Sequence, residues 1–447
     1  MSLRQRVIRA GAWTVASYGV ELSARLLSNL VLARLLFPDA FGVIAAATAL
    51  IAGLQLISDF GVKAVIIQNP LGDDPEFLRS AWVFQLWRGS ILWLLLAVIC
   101  SLLYIPAIHI LLPAASVFAY PPFPAITIVL GFSLILGGLE STAVALNMRN
   151  LNLGTLATID VVGRLAPIPV MIAWAFFSPT VWSLAAGSLV GAMTRLVLSH
   201  TIVPGPSMAF SVHKKHIDEI VSFGKWVNLS SVATLASSQA STVILGVVLP
   251  GSTLGLFYIA KTLSDAIESL LERLNGTLTL PVLSEIVRKE PRALRAKYYR
   301  FRLPIDVIAA GTAGFLLSSG NLIVHVLYDS RYSESGLMLE ILSLGLLIYP
   351  LQIIRSAFTA VARANLVAWV SVVQAVALLA CLSAGYHFGG VFGAIFGIAA
   401  SRIFPSAVIL TLANRRSWLN ISNELRLIPI FAFGFLVSQA VNYCIGP

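Results

Sequence analysis

The chain has 447 residues, of which 58% are apolar and 11% charged, and it carries a formal net charge of +10. A soluble domain carries about 25% charged residues, so this chain has too little polar surface to solvate a globule of its length. Lipid must be the solvent, which excludes a soluble enzyme and removes nucleic acid as the reason for the positive charge.

A spanning helix needs about 20 mostly apolar residues. In chain order such stretches lie near 11–35, 40–61, 80–104, 123–146, 155–177, 181–201, 224–249, 254–280, 303–327, 336–360, 365–387, 390–413 and 427–445. The basic start MSLRQRVIRAG precedes an apolar stretch, as in a signal peptide. That stretch holds Glu21 and Arg25 and no small-residue cleavage site, so it is expected to stay as the first helix. Turns punctuate the series at Phe37-Pro38-Asp39, Leu249-Pro250-Gly251 and Phe388-Gly389-Gly390. Cys100, Cys381 and Cys444 have no metal-ligand spacing and are expected as small apolar residues. Neither a cofactor nor a metal site is expected.

Lysine and arginine favour cytoplasmic loops. With the N-terminus inside, the inner set includes Arg4, Arg6, Arg9, Lys63, Arg79, Arg149, Lys214, Lys215, a dense run from Arg288 to Arg302, Arg363, Arg415, Arg416 and Arg426. The outer loops around 105–122, 177–181, 249–254 and 387–390 hold neither residue. The net positive charge is therefore this topological bias, summed. The run at 285–302 also suits an interfacial helix against anionic headgroups.

The two halves resemble each other at a spacing of about 213 residues. Gly11-Ala12-Trp13 is echoed by Gly224-Lys225-Trp226, and Leu36-Phe37-Pro38 with Phe41-Gly42 by Val248-Leu249-Pro250 with Leu254-Gly255. An even number of helices per copy keeps both copies in one orientation. The expected fold is an all-α, polytopic membrane protein: two parallel six-helix bundles facing a central cavity, plus one C-terminal helix. The expected parts are an N-terminal lobe at 1–203, a cytoplasmic linker at 204–222, a C-terminal lobe at 223–414 and an additional membrane helix at 415–447.

Each charge at a helix centre costs roughly 2.5–3.5 kcal/mol on insertion scales, so such residues face a cavity or a partner. Helix one sets Thr14, Tyr18, Glu21, Arg25 and Asn29 on one stripe, with Glu21 and Arg25 expected to pair at i,i+4. Helix two carries Gln55, Asp59 and Lys63, and helix eight Lys261, Asp265, Glu268 and Glu272. Under the repeat, Gln55 and Asp59 fall on Glu268 and Glu272. Arg88 and Arg402 stand about two turns or more inside their spans. Arg164, Arg195, Arg355 and Asp306 lie near cytoplasmic helix ends, where snorkelling is the expectation.

The stretch LARLLFPDAFGVIAAATALIAGLQLISDFGVKAVIIQ, residues 32–68, resembles the polysaccharide transporter branch of the multidrug/oligosaccharidyl-lipid/polysaccharide superfamily. The likeness lies in the ARLL-x-P-x-x-FG turn, the LQL-x-SD-x-G helix end and the trailing IIQ, and it extends more weakly through the first twelve helices. It implies a flippase of the Wzx type in a bacterial inner membrane, moving undecaprenyl-diphosphate-linked oligosaccharide outward and catalysing no reaction. It further implies a lipid-linked oligosaccharide substrate, a coupling cation (H+ or Na+), and polysaccharide polymerase and glycosyltransferases as partners. For the diphosphate, the forked guanidinium is the suitable ligand, which makes Arg25, Arg88 and Arg402, with Lys261, the substrate candidates. Carboxylates within spans are natural cation sites, so Glu21, Asp59, Asp265 and Glu268 are the coupling candidates.

Two other functions compete. A drug or cation antiporter of the same superfamily would suit the carboxylates of helix eight. A prenyl-phosphate phosphotransferase would use Asp73-Asp74-Pro75-Glu76 for magnesium, but the other inner loops are basic or neutral, and the tetrapeptide also reads as a helix start. The charge pattern yields the first prediction. Reporter fusions after Pro291 read cytoplasmic and fusions near Ser330 read periplasmic; the reverse at either site breaks the helix count.

Overall fold

The computed structural model of the protein describes residues 3–105, 112–150, 152–275, 294–355, 358, 364–415 and 420–445. Residues 285–293 of the basic run, Arg363 and Arg416 lie outside them, and so does the side chain of Thr14. Every regular element among the described residues is helical. In chain order they are α1 (Leu3–Leu35), α2 (Pro38–Ile57), α3 (Val62–Gln68), α4 (Pro75–Leu102), α5 (Phe123–Leu139), α6 (Ala143–Arg149), α7 (Leu153–Leu165), α8 (Pro167–Phe177) and α9 (Val181–Thr201). There follow α10 (Lys214–Ser238), α11 (Ala240–Val248), α12 (Gly251–Leu274), α13 (Leu294–Leu327), α14 (Glu334–Gln352), α15 (Ala364–Ser401), α16 (Ile403–Asn414), α17 (Ile421–Glu424) and α18 (Leu427–Ile445).

Among the described residues, eight helices are long and apolar enough to cross a membrane, or nine when α5 and α6, bent by 59°, count as one span. Thirteen were expected, and the difference has physical causes. The apolar stretch Trp369–Asn414 is one run by composition but folds back at Gly389 and Gly390, the latter with φ of 58°. A Cβ on Gly385 would lie 2.1 Å from the Gly393 carbonyl, and one on Gly397 would lie 2.1 Å from that of Cys381. Those pairings are antiparallel, so the expected spans 365–387 and 390–413 form a tight helical hairpin. The remaining expected spans correspond to α1, to α10 with α11, and to α12, which are helical but fall outside the apolar set.

Helix two is not continuous as expected. It breaks after Ile57 and restarts at Val62, because Gly61 takes a left-handed φ of 59° and its N–H donates to Asp59 Oδ1 at 2.9 Å. Lys63 therefore lies beyond the break, and Gln55, Asp59 and Lys63 do not form one stripe. The span near 155–177 is also interrupted, at Ala166, where Pro167 opens α8.

The chain divides into two compact units. Unit 1 comprises Met1–Leu235 and Thr242–Gly255, and unit 2 comprises Ala236–Ser241 and Leu256–Pro447. In unit 1, residues of the expected linker 204–222 are fixed in place. Asn147 Nδ2 donates to the Pro204 carbonyl at 2.8 Å, Arg79 Nε to that of Ser207 at 3.2 Å, and the Phe210 ring sits edge-on to Trp82. Ile220 joins the apolar core of Val62, Ile66, Phe77 and Leu78.

The sequence repeat reappears as a contact within unit 1. A Cβ on Gly42 would lie 1.9 Å from the Gly251 carbonyl, and one on Gly255 would lie 1.9 Å from that of Pro38. Pro38 and Gly251, like Gly42 and Gly255, are 213 residues apart, so each half of the repeat supplies the same two positions to a symmetric backbone crossing. In unit 2 the C-terminal helix α18 is packed as closely. A Cβ on Gly314 of α13 would meet the Phe431 carbonyl at 2.1 Å, and one on Gly434 that of Gly311 at 2.2 Å.

Only glycine fits such crossings, and a Cβ forced in costs typically about 1–3 kcal/mol. Gly42→Ala and Gly255→Ala should each lower the thermal midpoint in detergent. Gly137→Ala, where nothing lies within 4 Å, should leave it unchanged or raise it. Equal midpoints for all three variants would mean the crossing is loose.

Candidate substrate and coupling sites

Unit 2 gathers four of the eight expected residues. Lys261 and Asp265 are one turn apart on α12 and pair at 3.0 Å. Arg402 occupies the single-residue junction of α15 and α16, and its guanidinium grips Glu268 with both forks, Nη1 to Oε1 at 2.8 Å and Nη2 to Oε2 at 2.7 Å. Such a bidentate pair fixes orientation as well as charge. Gly345 of α14 makes room for it, since a Cβ there would meet the Arg402 side chain at 3.2–3.5 Å. Glu272, one turn beyond Glu268, lies within electrostatic reach of Glu268, Arg402 and Asp265. A small open cavity is lined by Ser241, Ser264, Lys261, Asp265 and Arg402 over Phe257, Leu342, Ile398 and Ala399.

Unit 1 holds the other four. Glu21 does not pair with Arg25 as expected. Its partner is Arg164 of α7, at 2.8 Å. Arg25 is left exposed, and among the described residues its guanidinium has neither an ion pair nor a hydrogen bond. Arg88 of α4 donates Nη1 to the Ser58 carbonyl at 3.2 Å and stands 3.7 Å from Asp59, while its buried Nε has no hydrogen-bond partner. Asp59 therefore belongs to the broken segment of helix two, where Asn228 Nδ2 also donates to the Ile57 carbonyl. Carbonyls released by a helix break need donors, and Arg88 and Asn228 supply them.

All four residues expected to snorkel have protein partners instead, Arg355 donating Nη2 to Gln374 Oε1 at 2.9 Å. Arg164 pairs with Glu21. Arg195 binds both Glu140, at the bend between α5 and α6, and Asp160 of α7. Asp306 accepts from Arg302 Nε at 2.8 Å, and Arg302, fully buried, also donates to both oxygens of Glu424, at 2.9 and 2.7 Å. Tyr298 and Tyr299 close this knot, Tyr299 donating to Glu424 at 2.6 Å and Tyr298 standing 3.2 Å from Arg302 Nη1. Burial pushes the Tyr298 phenol up to about 12, so it stays neutral. Charge counting alone missed Glu140, Asp160 and Glu424. The available signal was that each is acidic in a stretch whose other nearby charges are basic.

The acidic tetrapeptide Asp73–Glu76 has a local structural role. Asp74 caps α4 by accepting from the Glu76 N–H at 3.1 Å, and Asp73 stands 3.5 Å from Arg149, which itself donates to the Ile66 carbonyl at the end of α3.

A family profile described as "Polysaccharide biosynthesis protein" matches residues 31–337. The lipopolysaccharide biosynthesis protein WzxC of Escherichia coli (strain K12) is 21% identical over 409 residues, covering 90% of this chain and 80% of its own. Among solved structures, the lipid II flippase MurJ in an inward closed conformation aligns with a TM-score of 0.69 at 12% identity, over 98% of this chain and 99% of its own. An inward-facing multidrug resistance MATE family transporter of the MOP superfamily aligns with a TM-score of 0.60 at 14% identity, over 91% and 94%. At such identities the two solved structures establish the fold.

Removing one member of this half-buried, bidentate pair strands the other, at a cost on the order of 1–3 kcal/mol. Glu268→Gln should lose about that much stability in detergent, and Glu268→Gln with Arg402→Met should recover most of it. A double-mutant cycle with no coupling would mean that the two groups do not meet in the folded protein.

Proposed function

Since this chain belongs to the polysaccharide biosynthesis protein family of the MOP superfamily, we propose that it flips undecaprenyl-diphosphate-linked oligosaccharide repeat units across a bacterial inner membrane. Transport proceeds by alternating access, with the N-terminus cytoplasmic and no bond made or broken. The family match and the WzxC relative support this over the drug or cation antiporter.

The observation that carries the proposal is the state of Arg25. Among the eight candidate residues it alone has no ion pair or hydrogen bond to the described residues, whereas Arg88, Lys261, Arg402 and Glu21 each face an opposite charge. It sits ten residues from the end of α1 at Leu35, or about 15 Å at 1.5 Å per residue, which is far for snorkelling. A guanidinium there needs an anion, and a lipid diphosphate supplies two phosphates suited to its fork. Arg88, held by a carbonyl and a distant carboxylate, is the second ligand. Glu21, Asp59, Asp265 and Glu268 are the carboxylates through which H+ or Na+ would drive the cycle, each releasing its cationic neighbour when neutralised.

Deleting the gene should accumulate a lipid-linked oligosaccharide on the inner leaflet, identifiable by mass spectrometry. Arg25→Ala should abolish export while the protein still inserts, and Arg25→Lys should retain part of it, because a point charge cannot grip two oxygens as a fork does. Full export by Arg25→Ala would remove the residue from the substrate path.

A further inference from the structure

Granted that a lipid diphosphate is the cargo, we infer that Arg164 of α7 is a further ligand for it. Arg164 and Arg25, on either side of Glu21, take one phosphate each and so select diphosphate over monophosphate. From the sequence Arg164 is expected near a helix end, where its charge could reach the headgroups. In the structure it stands ten residues from Gly154 and thirteen from Phe177, the two ends of its span, or about 15 and 20 Å at 1.5 Å per residue. Both distances are long for snorkelling in a hydrocarbon core about 30 Å thick.

The pairing of Arg164 leaves its guanidinium open. It meets Glu21 through Nε, at 2.8 Å, and among the described residues its two Nη groups have no hydrogen bond. The side chain is 58% exposed whereas that of Glu21 is 12% exposed, so the pair turns its positive member outward. Other paired arginines are committed further. Arg195 uses Nε and Nη1, Arg402 both Nη groups, and Arg302 all three nitrogens. An exposed charge at mid-span meets the full insertion cost if it faces lipid, so this face of α7 borders a polar path.

Arg25 lies one turn beyond Glu21 on α1, and side chains so spaced have Cβ atoms about 5–6 Å apart on one face. Two guanidiniums therefore flank one carboxylate from different helices, each with an unused fork. A monophosphate engages one fork, whereas a diphosphate presents a second phosphate to the other. Capture need not strand Glu21, because a guanidinium carries five donors and Glu21 can keep the Nε–H. The other charge on α7, Asp160, is bound to Arg195 of α9, which also holds Glu140. With those counted, three arginines face three carboxylates. The free donors, and not a surplus of charge, mark the site.

Binding to the full chain in lipid nanodiscs separates a phosphate ligand from a structural counterion. The probes are undecaprenyl diphosphate and undecaprenyl monophosphate, neither bearing sugar. The unmodified protein should bind the diphosphate about tenfold more tightly, on the scale of one charge-assisted contact. Arg164→Gln should bring the two lipids to about equal affinity with monophosphate binding unchanged, which also shows that the variant is folded. Because that change strands Glu21, the deciding variant is Glu21→Gln with Arg164→Gln, and it too should lack the diphosphate preference. Recovery of the preference in the double variant would mean that Arg164 only balances Glu21. Equal weakening of both lipids would make it a strut between α1 and α7, and a preference that persists in Arg164→Gln would put the second phosphate elsewhere; each result overturns the assignment. If the unmodified protein binds neither lipid, the proposed cargo itself is wrong. If it binds both alike, the cargo stands and the two-phosphate clamp does not.

Discussion

A charge at the centre of a bilayer costs roughly 2.5–3.5 kcal/mol on insertion scales, and the polar interior of this protein is organised around that cost. Most of the deep charges considered above are tied to a partner on another helix. Glu21 joins α1 to α7 through Arg164, and Arg195 joins α9 to α7 and to the bend after α5. Arg88 holds α4 against the break in helix two, and Arg402 holds the α15–α16 junction against α12. Arg302 binds α13 to α17, which leads into the C-terminal helix. In lipid there is no hydrophobic force to bring helices together, so polar contacts and close packing set their arrangement. Glycine provides the second means, at Gly42 with Gly255 and at Gly314 with Gly434, where carbonyls approach to distances no side chain would permit.

Against that background Arg25, without an ion pair among the described residues, stands apart. Arg25 shares α1 with Glu21, yet Glu21 is taken by Arg164. The ion pairs make each unit a preorganised body, and on the proposed function the Arg25 guanidinium, which has no ion pair among the described residues, is where the lipid diphosphate would bind. Unit 2 presents the opposite case, with Lys261 paired to Asp265 and Arg402 to Glu268.

Much of this was legible in the sequence. Span positions followed from hydropathy, and Gly389-Gly390 marked the turn between two spans that composition alone would merge. The repeat was visible as Pro38 and Gly42 against Pro250 and Gly255, and the structure shows that these turns cross each other. Charges on α12 were found at their helical spacing, and Lys261 with Asp265 pairs as that spacing requires. Partners from distant helices were not legible. Spacing along α1 points to Arg25 as the partner of Glu21, but a guanidinium from α7 lies closer, and only the packing of α1 on α7 brings it there. The break at Ser58–Gly61 was hidden because Gln55, Asp59 and Lys63 keep helical periodicity across it, and a single left-handed glycine overrides that pattern. Arg195 and Asp306 resembled snorkelling residues because depth in a helix says nothing about which neighbour faces it.

The central claim is that this fold carries an anionic, sugar-bearing lipid from one leaflet to the other. It is tested most directly with purified protein in sealed proteoliposomes containing a lipid-linked oligosaccharide, with a glycosidase added only outside and any driving ion gradient imposed. Vesicles without protein should lose about the outer-leaflet half of the glycan. With the protein, digestion should continue into the inner-leaflet pool. Digestion that stops at the outer-leaflet fraction in vesicles shown to hold folded protein would contradict the account.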